Sequence, residues 1–237
     1  MTRFGSSGTT AQAAKAGIKV IAVHKGFPDL FGPQAAERVQ SIDIPKAARD
    51  WPQLNFIIYH GGYRYAGGGR AEDAWGQFER TGRIDWITDL AEMPAKHGVK
   101  NIYADLGQLF AQTTVAEPRL AAVILAQLIK GLGVNNVVWG TDAIWTGAPQ
   151  WQIEALRRIE VPEELQRKYN LPALGAADGP IKNAIFGENN ARIYNFKPEQ
   201  RAALASDKIA YHKAIYERHG EGRTNLAYGY VNRSASA

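Results

Sequence analysis

Residues 137–142 read VVWGTD, an apolar run that stops at a carboxylate. Two earlier runs stop in the same manner at histidines, IKVIAVH over residues 18–24 and FIIYH over residues 56–60. Short apolar runs without alternation are the pattern of parallel strands buried on both faces. Each of the three therefore hands a potential metal ligand, His24, His60 or Asp142, to the C-terminal end of a strand. NIYADLG, residues 101–107, adds another strand that closes on Asp105.

The polar residues that close these strands lie 36, 45 and 37 residues apart, enough for a strand, a loop, a helix and a return loop. The intervening segments carry helix signals. AQAAKAG (residues 11–17) reads as the last turns of a helix that Gly17 stops. Helices are expected over Ile44 to Asp50, over about Ile84 to Lys96, and over Pro118 to Leu132, where the proline sits at a first-turn position that needs no amide hydrogen. Beyond VVWGTD, helices are expected at about Pro149 to Ile159 and Pro162 to Tyr169. Gly187-Glu188-Asn189 reads as a helix start capped by Asn189, with Ala191, Ile193 and Tyr194 facing inward. Lys197 to His219 reads as one amphipathic helix, and Gly220 to Ala237 as a loose polar tail. Strict alternation of strand and helix argues for parallel β/α units with right-handed crossovers. In (β/α) barrels the chemistry gathers at the C-terminal ends of the strands.

Composition limits the chemistry further. The 237 residues, 45% of them hydrophobic, suffice for one sizeable core. The chain has no cysteine, so disulfides, thiolate zinc sites and a cysteine nucleophile are excluded, and a metal would sit on His, Asp or Glu. A net charge of +5 comes from lysines and arginines scattered among acids, without the clustered footprint of a nucleic-acid binder. No apolar run nears the roughly 20 residues that cross a bilayer, and the N-terminus lacks the core of a signal peptide. The expectation is a soluble chain, cytoplasmic by default. No GxSxG elbow and no dinucleotide fingerprint is present.

VHKG, FIIYHGG, NIYADLG, VVWGTD and FGENNARIYNF together resemble the second half of the amidohydrolase superfamily barrel, in its amidohydrolase-related (amidohydrolase 2) branch. The resemblance implies an α/β fold of (β/α)8 TIM-barrel type, with strands five to eight and the C-terminal helices in residues 1–196 and a terminal helix and tail in residues 197–237. It implies that His24 is the metal-binding histidine of strand five and His60 the strand-six histidine that binds metal or works as acid or base. Asp142 becomes the strand-eight aspartate that contacts the metal and takes a proton from its water. A divalent ion, zinc, is the cofactor so implied. The family pattern also carries a His-x-His pair on its first strand. None of the histidines at 24, 60, 97, 212 and 219 fills that place.

Three readings answer that absence: an N-terminally incomplete piece, a true half-barrel that pairs with another chain, and an inactive relative. The first is preferred, because Gly5 to Ala16 reads as the end of a helix whose start is missing. Expected partners are a small-molecule substrate and either a missing N-terminal half-barrel or a second copy, with neither nucleic acid nor membrane. The functional expectation is a metal-dependent hydrolase acting on a small carbonyl or carboxylate compound through metal-activated water, with His60 stabilising or protonating the oxyanion. A non-oxidative decarboxylase and a non-catalytic half-barrel are the alternatives.

Secondary candidates are Lys25 and Arg64 as substrate-binding cations. One step along a strand reverses the side-chain direction, so Lys25, next to His24, reads equally as an outward, solvated lysine. Arg64 follows the HisGlyGly turn and reads equally as a loop ion pair. Asp105 is given a structural hydrogen-bonding role. Gly67-Gly68-Gly69-Arg70 lacks phosphate-loop spacing and reads as a loop over the site.

Overall fold

The computed structural model describes residues 8–32, 35–65, 70–205 and 208–218. Its centre is a parallel sheet of strands β1 (Val20–His24), β2 (Asn55–Tyr59), β3 (Ile102–Asp105) and β4 (Val137–Val138), paired in chain order. Register sets His24 beside Tyr59, Ile58 beside Ala104 and Asp105 beside Val138. The strands therefore end nearly level, and their closing side chains share one rim. This is the expected α/β chain of consecutive parallel β/α units.

Helix α1 (Thr9–Lys15) leads into β1 and stops where Gly17 takes a positive φ of 79°. Helix α2 (Ile44–Asp50) joins β1 to β2, and α3 (Ala71–Thr81) with α4 (Ile87–His97) joins β2 to β3. The last crossover holds α5 (Leu109–Ala116) and α6 (Pro118–Leu132). The sequence reading gave α2 and α6 their observed bounds, ran α4 three residues too early, and passed over α3 and α5. Expected helices near 149–159 and 162–169 are present as α7 (Gln150–Arg158) and α8 (Glu163–Tyr169).

Helix α6 is apolar on nearly all sides and buried along most of its length, as a central helix should be. Its Glu117 carboxylate accepts the Arg119 amide at the first turn. At Gly131 it crosses α4 so closely that a methyl group would stand 2.6 Å from the Ala91 carbonyl carbon. Gln127 ties the same crossing by donating to Gly82 O and accepting from Thr88 Oγ1. Phe56, Ile58, Ile102, Leu120, Val123 and Leu128 are all fully buried in one core between sheet and helices. Each such side chain contributes roughly 1.5–3 kcal/mol. Ile57 and Val138 point to the other face, where they meet Ile193.

The outer edge of β4 is occupied by the helical run Pro180–Ile193, which contains a π-helical turn over Ala184–Glu188. The Trp139 amide donates to Ile185 O, Asn189 donates to the carbonyls of Val134 and Val137, and Asn190 donates to that of Trp139. These contacts blunt an edge that would otherwise invite strand addition. They also correct the reading of Asn189: it lies inside a continuous helical run and holds β4, whereas its expected role was to cap a helix start. Ile193 is buried as expected, but Tyr194 is 59% exposed. In the expected terminal helix, Pro198–Ala205 and Lys208–Arg218 are helical, and residues 206–207 between them lie outside the described residues. His219, the tail from Gly220 and the glycine run 67–69 lie outside the described residues. Among the described residues no helix is long and apolar enough to cross a membrane.

Candidate active site

The loop that leaves each strand contains one non-glycine residue in the left-handed backbone region: Phe27 after β1 (φ 48°), His60 after β2 (58°), Gln108 after β3 (54°) and Asp142 after β4 (51°). That region costs an L-residue roughly 1–2 kcal/mol. Strain of this kind persists only where surrounding contacts enforce it, and it concentrates at functional sites.

The first two loops lock together. Phe27 N–H donates to Tyr63 O at 2.8 Å and Gly26 N–H to Val39 O at 2.7 Å. Gly26 must lack a side chain, because a Cβ there would lie 2.5 Å from Tyr63 O. This pairing buries the Phe27 ring 4.7 Å from the imidazole of His60 and sets the His24 ring 4.6 Å from it, edge to face. His60 is only 6% exposed.

His60 Nδ1 lies 2.8 Å from Gly107 O. A carbonyl oxygen only accepts, so Nδ1 carries the proton and Nε2 keeps a bare lone pair. Donation from one ring nitrogen to a carbonyl is the arrangement that orients a metal-binding histidine. His24 presents the complementary anomaly: its Nδ1 is buried without a hydrogen-bond partner, a state that costs about 1–3 kcal/mol unless something binds it. Burial lowers the pKa of both imidazoles below the ordinary histidine value. The neighbouring His60 lowers His24 further, while the charge of Asp142 opposes the shift at both rings, as does the Gly107 bond at His60. Both rings are thus neutral at pH 7, the state in which imidazole binds a metal ion. With Nδ1 donating to Gly107 and burial favouring the neutral ring, His60 can offer Nε2 as a ligand or a proton acceptor.

Asp142 opens the turn Ala143–Thr146. Thr146 Oγ1 donates to the carbonyls of Thr141 and Asp142, and Gln152 donates to Thr146 Oγ1 at 2.8 Å. Asp142 lies against Gly107, where an added Cβ would stand 3.7 Å from its own Cβ, and its charge is felt at His24, His60 and Asp105. Among the described residues no three His, Asp or Glu side chains form a group able to hold a metal ion.

Asp105 stands beneath them. Its Oδ1 accepts the Gly107 amide at 2.9 Å. Burial pushes its pKa up to about 6, with the Asp142 charge adding to the rise and the amides of Gly107 and His60 opposing it. Gly140, from the strand-four loop, packs onto this carboxyl: a Cβ there would stand 2.9 Å from Asp105 Cγ and would overlap Oδ2. Sequence reasoning passed over Gly107 and Gly140. The available signal was their placement, each two residues from an aspartate that closes a strand.

Lys25 is not a substrate cation. It is 3% exposed, and its ammonium donates to Asp43 at 2.7 Å and to Arg38 O at 3.0 Å. Pointing away from the strand-end rim meant pointing into the helical layer, where a carboxylate receives it. Arg64 is exposed and paired with Asp85 at 2.5 Å. It also lines a cleft of about 440 Å³ together with Pro28, Asp29, Arg70 and Trp86.

No curated protein matches the chain significantly. Among solved structures, an amidohydrolase from Burkholderia multivorans matches with a TM-score of 0.49 at 15% identity, over 77% of this chain and 55% of that one. The 5-carboxyvanillate decarboxylase of Sphingomonas paucimobilis matches with a TM-score of 0.43 at 16% identity, over 78% and 52%. The chain spans about half the length of these two proteins. The sequence model described as amidohydrolase matches residues 9–196. That match takes in every strand and each residue of the rim, and the chain belongs to the amidohydrolase family.

Proposed function

We propose that this chain carries half of a metal-dependent hydrolytic site, with His24 and His60 as ligands to a divalent ion and Asp142 as the proton-transfer group. The observation that carries the reading is the pair of bare imidazole nitrogens, buried Nδ1 of His24 and Nε2 of His60, on rings 4.6 Å apart. Two neutral imidazoles fit zinc, which takes nitrogen ligands at about 2.0–2.1 Å. Catalytic zinc commonly has three protein ligands, so two leave the set short. We therefore read the four β/α units as half of an eight-stranded barrel completed by a second half-barrel. Closing such a barrel would bring partner strands to both edges of the sheet, that of β1, which carries His24, and that of β4, where the run Pro180–Ile193 would have to make room.

A divalent ion supplies, when bound, a water whose pKa falls from 15.7 to about 7 and a positive charge beside a substrate carbonyl. Asp142 takes the proton of the attacking water and passes it to the leaving group, a role its position above both rings supports. Neutral His60 holds its lone pair toward the site because Gly107 engages its other nitrogen. Arg64, at the adjoining cleft, would attract an anionic part of a small carbonyl substrate. The test is turnover of a panel of esters, lactones, amides and aromatic carboxylates by the chain assembled with its completing half-barrel and zinc, beside the same assembly carrying His60→Ala or Asp142→Asn. Hydrolysis product in the wild type, lost on chelation and in both variants, is the expected result. Release of carbon dioxide instead would assign the decarboxylase chemistry, and equal turnover in all three proteins would sink the proposal.

A further inference from the structure

Asp105 belongs to neither ring nor cleft, yet it is the polar group with most of the site built around it. Burying a carboxyl is unfavourable unless its oxygens are satisfied, and those of Asp105 are used with unusual economy. Oδ1 accepts the Gly107 amide at 2.9 Å. Gly107 in turn presents its carbonyl to two donors, the Leu109 amide at 2.6 Å and His60 Nδ1 at 2.8 Å. Gly107 and Gly140 both lack side chains where Asp105 needs the space, since a Cβ on Gly107 would lie 2.8 Å from Oδ1.

We propose that Asp105 is a positioning residue: by accepting the amides of both Gly107 and His60 it fixes the two residues relative to each other, and so keeps the Gly107 carbonyl on His60 Nδ1, in the tautomer that leaves Nε2 bare. The inference rests on the reading of His60 as a ligand or base for its purpose, but its geometry stands without a metal. The effect of Asp105 passes through the backbones of Gly107 and His60. A clamp that merely joined β3 to β4 would need the contact with Gly140 alone and would leave the His60 ring free to exchange its proton between nitrogens.

The experiment is nitrogen NMR of the histidine rings in the full, metal-free chain, which reports which ring nitrogen carries the proton. Wild type should show His60 protonated at Nδ1. Asp105→Asn, whose one side-chain oxygen can still accept the Gly107 amide, should disturb that pattern less than alanine does. Asp105→Ala should lower the ratio of the two tautomers by about tenfold, the weight of one hydrogen bond. His97 and His212, elsewhere in the chain, serve as internal controls. An unchanged His60 pattern in folded Asp105→Ala, or equal disturbance in Asn and Ala variants, would overturn the proposal. If Asp105→Ala does not fold, Gly107→Ala replaces it: crowding Oδ1 should disturb the His60 tautomer, and an undisturbed ring overturns the inference. Because metal is absent throughout, failure here leaves the proposed metal site untouched, and failure of that site leaves this reading intact.

Discussion

Replacing Gly140 with alanine puts the packing at the rim under direct strain. The added Cβ would overlap Asp105 Oδ2 and stand 2.9 and 3.0 Å from Cγ and Oδ1, a few tenths of an ångström or more inside ordinary contact. The carboxyl cannot retreat freely, because the Gly107 amide holds Oδ1. Overpacking of this size costs about 1–3 kcal/mol, and giving up a hydrogen bond to a charged group adds roughly 1.5–3 kcal/mol if the side chain moves instead. Against this, alanine restricts the unfolded chain more than glycine does, a gain of about 0.4–1 kcal/mol. The balance is a loss of about 2 kcal/mol. Urea unfolding followed by tryptophan fluorescence reads it, with Trp139 adjacent to the change. In an Asp105→Ala background the obstruction is gone, so the same substitution should be neutral within about 0.5 kcal/mol, which gives a coupling energy near 2 kcal/mol. Equal costs in the two backgrounds would refute the idea that Gly140 is small for the sake of Asp105.

Gly131→Ala should destabilise the chain by about 1–2 kcal/mol, although alanine is the better helix former by about 1 kcal/mol. The reason is the 2.6 Å approach to the Ala91 carbonyl carbon, and a raised melting temperature would contradict it. Lys25→Ala should cost about 2 kcal/mol in denaturant unfolding, because it removes a buried side chain and its bonds to Asp43 and to Arg38 O; a loss under about 0.5 kcal/mol would show that the contact is replaceable. The Arg83 side chain donates to both Glu92 oxygens, and this hydrogen bonding, more than the attraction of Lys96, holds the Glu92 pKa down to about 2. A depressed folded pKa means that the contribution is whole above about pH 4.5 and disappears as pH falls toward 2. The pair is partly exposed, so the amount is about 1 kcal/mol or less. Arg83→Gln should flatten that part of the acid limb in a pH series of melting temperatures.

Much of this architecture was legible because strands and buried helices announce themselves through apolar runs. IKVIAVH, FIIYH and VVWGTD each ended at the rim residue that the structure places there, and the Ala- and Leu-rich α6 showed its proline start and glycine stop. Helix α3 was harder. Its buried Ala71, Ala74 and Phe78 do follow helical spacing, but two are small and Gly76 interrupts them. Helix α5 is apolar on every side and carries three β-branched residues in a row, Thr113 to Val115, so no period stands out. The site itself was half visible. Which residues close the strands is a local property, whereas the approach of Gly140 to Asp105 joins loops 35 residues apart, and the bare nitrogen of His24 depends on what its neighbours fail to offer. Lys25 shows the limit of alternation: the pattern says which face a residue points to, but not that a helix and a carboxylate wait on that face.

The measurement closest to the central claim is a zinc titration of the chain followed at the ring nitrogens of every histidine. The account predicts that His24 Nδ1 and His60 Nε2 respond together and before His97 or His212, and that His24→Ala removes the response of His60 at the same zinc level. Independent responses of the two rings, or a first response elsewhere, would contradict it.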